Sequence, residues 1–129
     1  MISEFRETKL YYENMFNTNW KATKIHFVGQ EVMPKQTKKW VNPFYQPTYG
    51  NNGSLSDVCS NNGGNLHVAC WATNDLDAMT LGDDVVNFIK ANNDGSKYRI
   101  TNVEMSDHGW NESNRVYAVI TFSIQMLVN

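Results

Sequence analysis

The sequence predicts a single α+β domain, a two-layer sandwich in which two helices cover one face of a mixed, mainly antiparallel sheet of about five strands. Three observations predict it. Two segments carry apolar residues at helical spacing, and several others have the alternation or composition of strands. The chain has 129 residues, of which 41% are hydrophobic, so it can bury a core without disulfides or metals. We expect one domain over residues 1–129.

The N-terminal segment predicts a helix over residues 3–17. Ser3 is a good N-cap, and Phe5, Tyr12 and Phe16 recur at nearly helical spacing to form one apolar face. Asn17 belongs to a polar stretch that ends the helix. The sequence therefore begins with an amphipathic helix that packs on the core.

Two strand-like segments follow. In residues 23–29, Ile25 and Phe27 alternate with more polar neighbours, which is typical of a half-buried strand. Residues 39–47 have a β-like composition but contain two prolines, which cannot donate ladder hydrogen bonds. We expect the second segment to be an edge strand.

Residues 48–65 differ from the rest of the chain because they are rich in Asn, Gly and Ser. This composition favours turns and a flexible excursion. The excursion is too short to be a second domain. Because long loops in compact domains often carry function, it is a candidate for contact with a partner.

Residues 66–72 are apolar on both faces and predict a central strand. Asn74 can then cap a second helix that extends to about residue 91. The apolar residues at helical spacing predict its inward-facing stripe as Leu76, Met79, Val85, Val86 and Ile89.

The C-terminal part predicts a hairpin. Residues 98–105 have strand character, with a change of phase that indicates a bulge, and residues 107–114 are rich in turn formers. Apolar residues occupy every second position over residues 116–126, with mixed residues between them. We expect one sheet face to pack on the helices and the other to meet solvent or another subunit.

The residues that commonly perform catalysis or bind metals show no motif. His26, His67 and His108 lie in no metal-binding spacing, and His67 and Cys70 point to opposite faces of a predicted strand. A nucleophile formed by Cys59 or Cys70 with a histidine has no activating surroundings in sequence. We therefore predict no enzyme, no metal and no cofactor.

Acidic and glycine-rich clusters have structural explanations. Asp75 and Asp77 complement the dipole of the second predicted helix, and Asp83 and Asp84 fall on its polar face. The Gly-rich pairs, including Gly63-Gly64, lack phosphate-binding spacing and predict turns.

Charge and targeting signals restrict partners and location. The formal net charge is −2 and the longest basic run is Lys38-Lys39, so broad phosphate binding is disfavoured. There is no apolar signal region and no stretch long enough to cross a bilayer. We expect synthesis in the cytoplasm, no membrane partner and reduced cysteines.

Aromatic residues are the best candidates for a binding surface. Several crowd the proline-containing edge segment, and one lies in a polar turn where a monomer gains little from a large ring. Burial in the chain's own core is the alternative explanation. The candidate interface residues are Trp40, Phe44, Tyr45, Tyr49 and Trp110.

The order of elements resembles that of the tail terminator, or tail completion, proteins of long-tailed bacteriophages. The resemblance covers almost the whole chain but rests on element order and hydrophobic placement. The matching pieces are residues 5–16, the Trp40-Val41 pair, the loop to Gly64, and residues 66–71, 76–89 and 115–126.

This resemblance implies a structural virion protein assembled in the host cytoplasm. It implies a ring, commonly a homohexamer, that caps the head-proximal end of the tail tube, stops its polymerisation and joins it to the neck. The implied partners are the chain itself, the tail tube protein and a neck or head-completion protein, with DNA passing through the lumen without specific binding. Two alternatives remain: another neck or head-completion connector, and a small α+β ligand-binding protein or enzyme with a closed pocket.

Overall fold

A computed structural model of the chain describes residues 4–27, 39–48, 63–110 and 116–126. The helices and strands follow one another as helix, two strands, strand, helix and two strands. They are α1 (Glu4–Asn19), β1 (Lys24–Ile25), β2 (Trp40–Thr48), β3 (Gly63–Ala72), α2 (Asp75–Asn92), β4 (Tyr98–Trp110) and β5 (Val116–Met126).

The five strands form one sheet in the order β1-β2-β3-β5-β4. Only β1 and β2 are parallel, and the other neighbours are antiparallel. Helix α1 packs over β2, and α2 packs over β3 and β5 on the same face. The predicted α+β architecture, with helices on one face of a mixed, mainly antiparallel sheet, is confirmed.

The core lies between the helices and this face of the sheet. Along β5, the residues at even positions from Val116 to Ile124 are buried and those between them are half-buried, as the alternation predicted. Helix α1 contributes Thr8, Tyr12 and Phe16, all of which are nearly or completely buried. The larger core cluster contains Tyr12, Met15, Phe16, Trp20, Val41, Tyr45, Leu66, Val68, Cys70, Leu81, Val85, Ile89, Tyr98, Ile120, Phe122 and Ile124.

Helix α2 begins as the sequence predicts, because the side chain of Asn74 accepts a hydrogen bond from the Asp77 backbone N–H at 2.8 Å. Its predicted inward stripe is partly wrong. Leu76 is 73% exposed and Met79 is 42% exposed. The buried positions are Ala78, Leu81, Gly82, Val85 and Ile89.

The close approach of the helix to the sheet at Gly82 explains this difference. A Cβ atom there would lie 2.9 Å from side-chain carbons of both Ile120 and Met105. The smallest residue therefore faces the sheet, and the helix is rotated so that Leu76 and Met79 lie on its flank. Helical spacing alone predicts that the larger apolar residues, and not a glycine, face the sheet.

Among the described strands, β2 has one neighbour along most of its length. It pairs with β3 throughout but with β1 only at Trp40 and Val41, so within the described residues the edge prediction holds only for the later part of the strand. The Val41 carbonyl accepts a hydrogen bond from the His26 N–H on the β1 side. Since alternate residues direct their backbone groups the same way, Pro43 and Pro47 face that side, where β3 requires no donor.

The expected excursion over residues 48–65 is partly corrected. Gly63 and Gly64, interpreted above as turn residues, are the first residues of β3 and pair with Thr48 and Pro47. A Cβ at Gly64 would lie 2.5 Å from the Gln46 carbonyl oxygen and from the Tyr45 hydroxyl. Glycine is thus required by close strand contact, and residues 49–62 of the excursion lie outside the described residues.

Strand β4 is longer than predicted. It extends to Trp110 through part of the segment interpreted as turn-rich. The predicted bulge is confirmed, because the register with β5 shifts between Ile100 and Asn102. A second shift between Asp107 and Trp110 accommodates the turn-forming residues within the strand.

Candidate assembly surface on the open face of the sheet

The sheet face opposite the helices, termed here the open face, is the candidate functional surface. No helix in the described part of the chain packs on it. The register places Trp40 of β2, Trp71 of β3 and Tyr117 of β5 directly beside one another. All three side chains are half-buried, so they are neither core residues nor freely solvated.

These three rings form a stack, the aromatic ladder, across neighbouring strands. Trp40 and Trp71 have ring centroids 5.4 Å apart with planes only 8° from parallel. Trp71 and Tyr117 lie 4.3 Å apart at 24°. These spacings match the distance between adjacent strands, so the rings stand upright on the sheet and stack along the interstrand direction.

The upright arrangement determines what the ladder can bind. Both faces of Trp71 are occupied, one by Trp40 and the other by Tyr117. Proteins that bind nucleic-acid bases on a sheet instead present ring faces to the ligand. The ladder directs ring edges outward, which is suited to packing against apolar and polar groups of a protein partner.

A second polar and aromatic row lies beside the ladder. The Phe44 ring stacks on His67 with centroids 4.9 Å apart. The two nitrogens of His67 lie 3.0 Å from Thr121 Oγ1 and 3.1 Å from Gln46 Oε1. The imidazole is therefore fixed in place between β2 and β5, and one nitrogen accepts while the other donates.

Burial lowers the pKa of His67, because desolvation disfavours the charged imidazolium. Its surroundings are those of a structural histidine rather than a catalytic base. Both nitrogens already have side-chain partners, and Cys70 lies on the opposite face of the same strand. The described residues of the open face can therefore offer hydrogen-bonding and aromatic contacts, and none of them forms an activated nucleophile.

The five predicted interface residues do not share one environment in the structure. Trp40 and Phe44 are half-buried on the open face. Tyr45 is only 7% exposed and packs in the core, so its prediction as an interface residue is corrected. Tyr49 lies outside the described residues, and Trp110 is the last residue of β4, with a side chain that is likewise outside them.

Alternation along β2 explains the correction for Tyr45. Residues of even number, such as Trp40 and Phe44, face away from the helices, whereas Val41 and Tyr45 face them. Burial raises the pKa of Tyr45 to about 12, although the nearby Thr8 hydroxyl acts in the other direction. The Tyr45 hydroxyl is buried and has no partner with hydrogen-bond geometry.

Two members of the ladder, Trp71 and Tyr117, were not among the predicted site residues. The sequence pattern places Trp71 in a strand that is apolar on both faces, and it places Tyr117 among the mixed residues between the alternating apolar residues of 116–126. Strand register is needed to identify these two residues, because Trp40, Trp71 and Tyr117 become neighbours only when three distant segments pair. Alternation gives each residue's face but not its neighbour.

Other possible chemistry is limited in the described part of the chain. Burial raises the pKa of the Cys70 thiol to about 12, so the thiolate required for attack is disfavoured. No group of three or more His, Cys, Asp or Glu residues is arranged there to hold a metal ion. Cys59 falls outside these residues, as does the side chain of His108.

Comparison with known protein families and with functionally characterised proteins finds no match to this chain. Within residues 4–27, 39–48, 63–110 and 116–126, neither helix has the length and apolar character needed to cross a membrane. The interpretation of the open face therefore depends on its own geometry.

Proposed function

We propose that this chain is a non-enzymatic structural protein of a bacteriophage virion. In this proposal it forms a ring that caps the head-proximal end of the tail tube, terminates tube polymerisation and joins the tail to the neck. The aromatic ladder on the open face is the observation that carries the assembly part of the proposal. The assignment to tail and neck depends on the resemblance in element order.

The ladder supports assembly because of where its rings lie. Trp and Tyr are enriched at the centres of protein interfaces, where a large ring is apolar on its body and polar at its tip. Trp71 and Tyr117 have this character and are half-buried in the isolated chain. A partner seated on the open face would complete their burial.

The charge of the chain supports a role beside DNA rather than bound to it. The formal net charge is −2, so the chain has no excess of positive charge to neutralise phosphates. Like charge discourages adsorption of DNA to a surface that it must pass. This property suits a subunit lining a passage.

The enzyme alternative receives less support. A catalytic site requires a base, a nucleophile or a metal in converging geometry. The described residues place His67 and Cys70 on opposite faces of the sheet, and they offer no cluster of metal ligands. The alternative role as another neck or head-completion connector uses the same kind of surface and is distinguished by its partner.

Electron microscopy with purified tail tubes tests the proposal. The protein should appear as a ring at one end of each tube, and its addition during tube polymerisation should stop growth. An unrelated small protein at the same concentration is the control and should leave tube length unchanged. Rings that bind neck components but never tubes would favour the connector role, and absence of binding to either would contradict both.

A further inference from the structure

A second surface, the α2–β4 patch, consists of Leu76, Met79, Val103 and Met105. These side chains are 73%, 42%, 37% and 39% exposed, respectively. They lie near the β4 edge of the sheet, on the helix side and away from the open face. Exposed large apolar residues that lie on the same side of a domain are candidates for an interaction surface.

The two strand residues of the patch face the helix layer. Val103 pairs with Phe122 and Met105 pairs with Ile120, both of which are fully buried in the core. Directly opposite residues in an antiparallel pair point to the same face. Val103 and Met105 remain exposed because α2 packs mainly on β3 and β5 and scarcely extends over β4.

The two helix residues lie on the same side of the molecule. Phe88 faces α1, since its ring lies 4.9 Å from the ring of Phe16. Met79 precedes Phe88 by nine residues, about two and a half helical turns, and so projects from the opposite side of α2, toward β4. Leu76 is three residues before Met79 and lies beside it.

The charges at the two ends of the sheet have opposite signs. Helix α2 contains four aspartates and one lysine, a formal charge of −3, and Asp83 lies on the side of the helix near the patch. At the other end of the sheet, exposed Lys21, Lys24 and Lys39 surround β1 and the start of β2. Residues 17–27 and 39–48 contain no acidic side chain.

We propose that the α2–β4 patch of one subunit binds the lysine-bearing β1–β2 end of a second copy of this chain. The inference rests on the proposed ring, and it specifies the contact between ring neighbours. The two surfaces differ and lie at opposite ends of the sheet, so every subunit can use both at once. Such head-to-tail contacts close into rings when the rotation between subunits permits.

The first test compares Leu76→Ser with Leu10→Ser by native mass spectrometry across a concentration series. Leu10 is a matched control because it is 45% exposed on α1, outside the patch. Leu76→Ser should raise the concentration needed for assembly about tenfold or more, as loss of an apolar interface anchor does, whereas Leu10→Ser should leave it unchanged. Both variants should retain the wild-type far-ultraviolet circular dichroism, since both side chains are exposed.

The second test reverses charges at each end of the sheet. Asp83→Lys with Asp84→Lys, and separately Lys24→Glu with Lys39→Glu, should each weaken assembly because like charges then meet. All four substitutions together should restore assembly at least in part, which is the signature of a contact between these two surfaces.

The outcomes distinguish this inference from the function on which it rests. A wild-type protein that never forms rings contradicts the proposed function. Wild-type rings that survive Leu76→Ser, or fourfold charge variants no better assembled than either double variant, overturn the inference and leave the ring proposal standing. Assembly lost equally in Leu76→Ser and Leu10→Ser also overturns it, because the effect would not belong to the patch.

Discussion

Gly64 shows how one residue links two strands to the core. It pairs with Pro47 across the β2–β3 ladder, and the Tyr45 ring occupies the space where a side chain would project. The Gln46 carbonyl oxygen limits the same space from the backbone. A glycine here therefore leaves room for the Tyr45 ring, which packs in the core on the helix side of β2.

Gly64→Ala should lower the free energy of unfolding by about 1–3 kcal/mol, the usual cost of overpacking, because its Cβ would meet a carbonyl oxygen and a tyrosine ring. Gly95→Ala is the matched control, since a Cβ there meets nothing within 4 Å, and should change the free energy by less than about 0.5 kcal/mol. Urea denaturation measures both. Equal effects of the two substitutions would contradict the requirement for a glycine at position 64.

Single residues also limit what the sequence can reveal. The Asn74 cap was predictable because capping is local, and the structure confirms it. The sequence predicts turns at Gly63 and Gly64, because glycine pairs usually mark turns, and only contact with β2 and β5 explains why these residues are glycines.

At the scale of elements, the two faces of β2 make different contacts. Its odd-numbered residues join the core, whereas its even-numbered residues join the ladder and the Phe44–His67 row. The composition of this segment predicts a strand, but it does not distinguish the aromatic residues on one face from those on the other. To place Trp40 and Tyr45 on different faces, one must know which of the two alternating sets of residues faces the core. The two prolines and the short pairing with β1 obscure this in the sequence.

Trp40→Ala and Tyr45→Ala should therefore differ. Tyr45→Ala empties a core position and should lower the free energy of unfolding by about 3–5 kcal/mol. Trp40→Ala removes one ring of the ladder and should cost less, with about 0.5–1.5 kcal/mol from the lost stacking beyond the buried area. Thermal denaturation measures the stability of each variant, and native mass spectrometry measures its assembly.

We expect Trp40→Ala to weaken assembly at temperatures where the variant remains folded. Phe44→Ala is a useful second variant, because that ring also lies on the open face and stacks on His67. Loss of stability as large as that of Tyr45→Ala would assign Trp40 to the core instead. Unchanged assembly would remove the ladder from the interface.

The helices illustrate the same limit of sequence reasoning. Both were predicted within a few residues of their observed ends, because capping residues and apolar spacing are local signals. The rotation of α2 was not predicted, since it depends on Gly82 meeting Ile120 and Met105 from distant strands. As a result, Leu76 and Met79 were assigned to the core, although they form half of the α2–β4 patch.

At the scale of the whole molecule, the surfaces have a simple distribution. The helix layer protects one face of the sheet, and the open face carries the aromatic ladder. The sheet's two ends differ in sign of charge, with aspartates on α2 near one and lysines around β1 at the other. Composition predicted the absence of a strong overall charge, but only the strand order places opposite charges at opposite ends.

The central claim is that this chain acts through assembly with copies of itself. Native mass spectrometry of the purified wild-type chain over a range of concentrations tests it most directly. We expect a single closed species of fixed subunit number, with six subunits as the resemblance implies, that dissociates as salt screens the opposed charges. A monomer at every concentration and salt condition would contradict it.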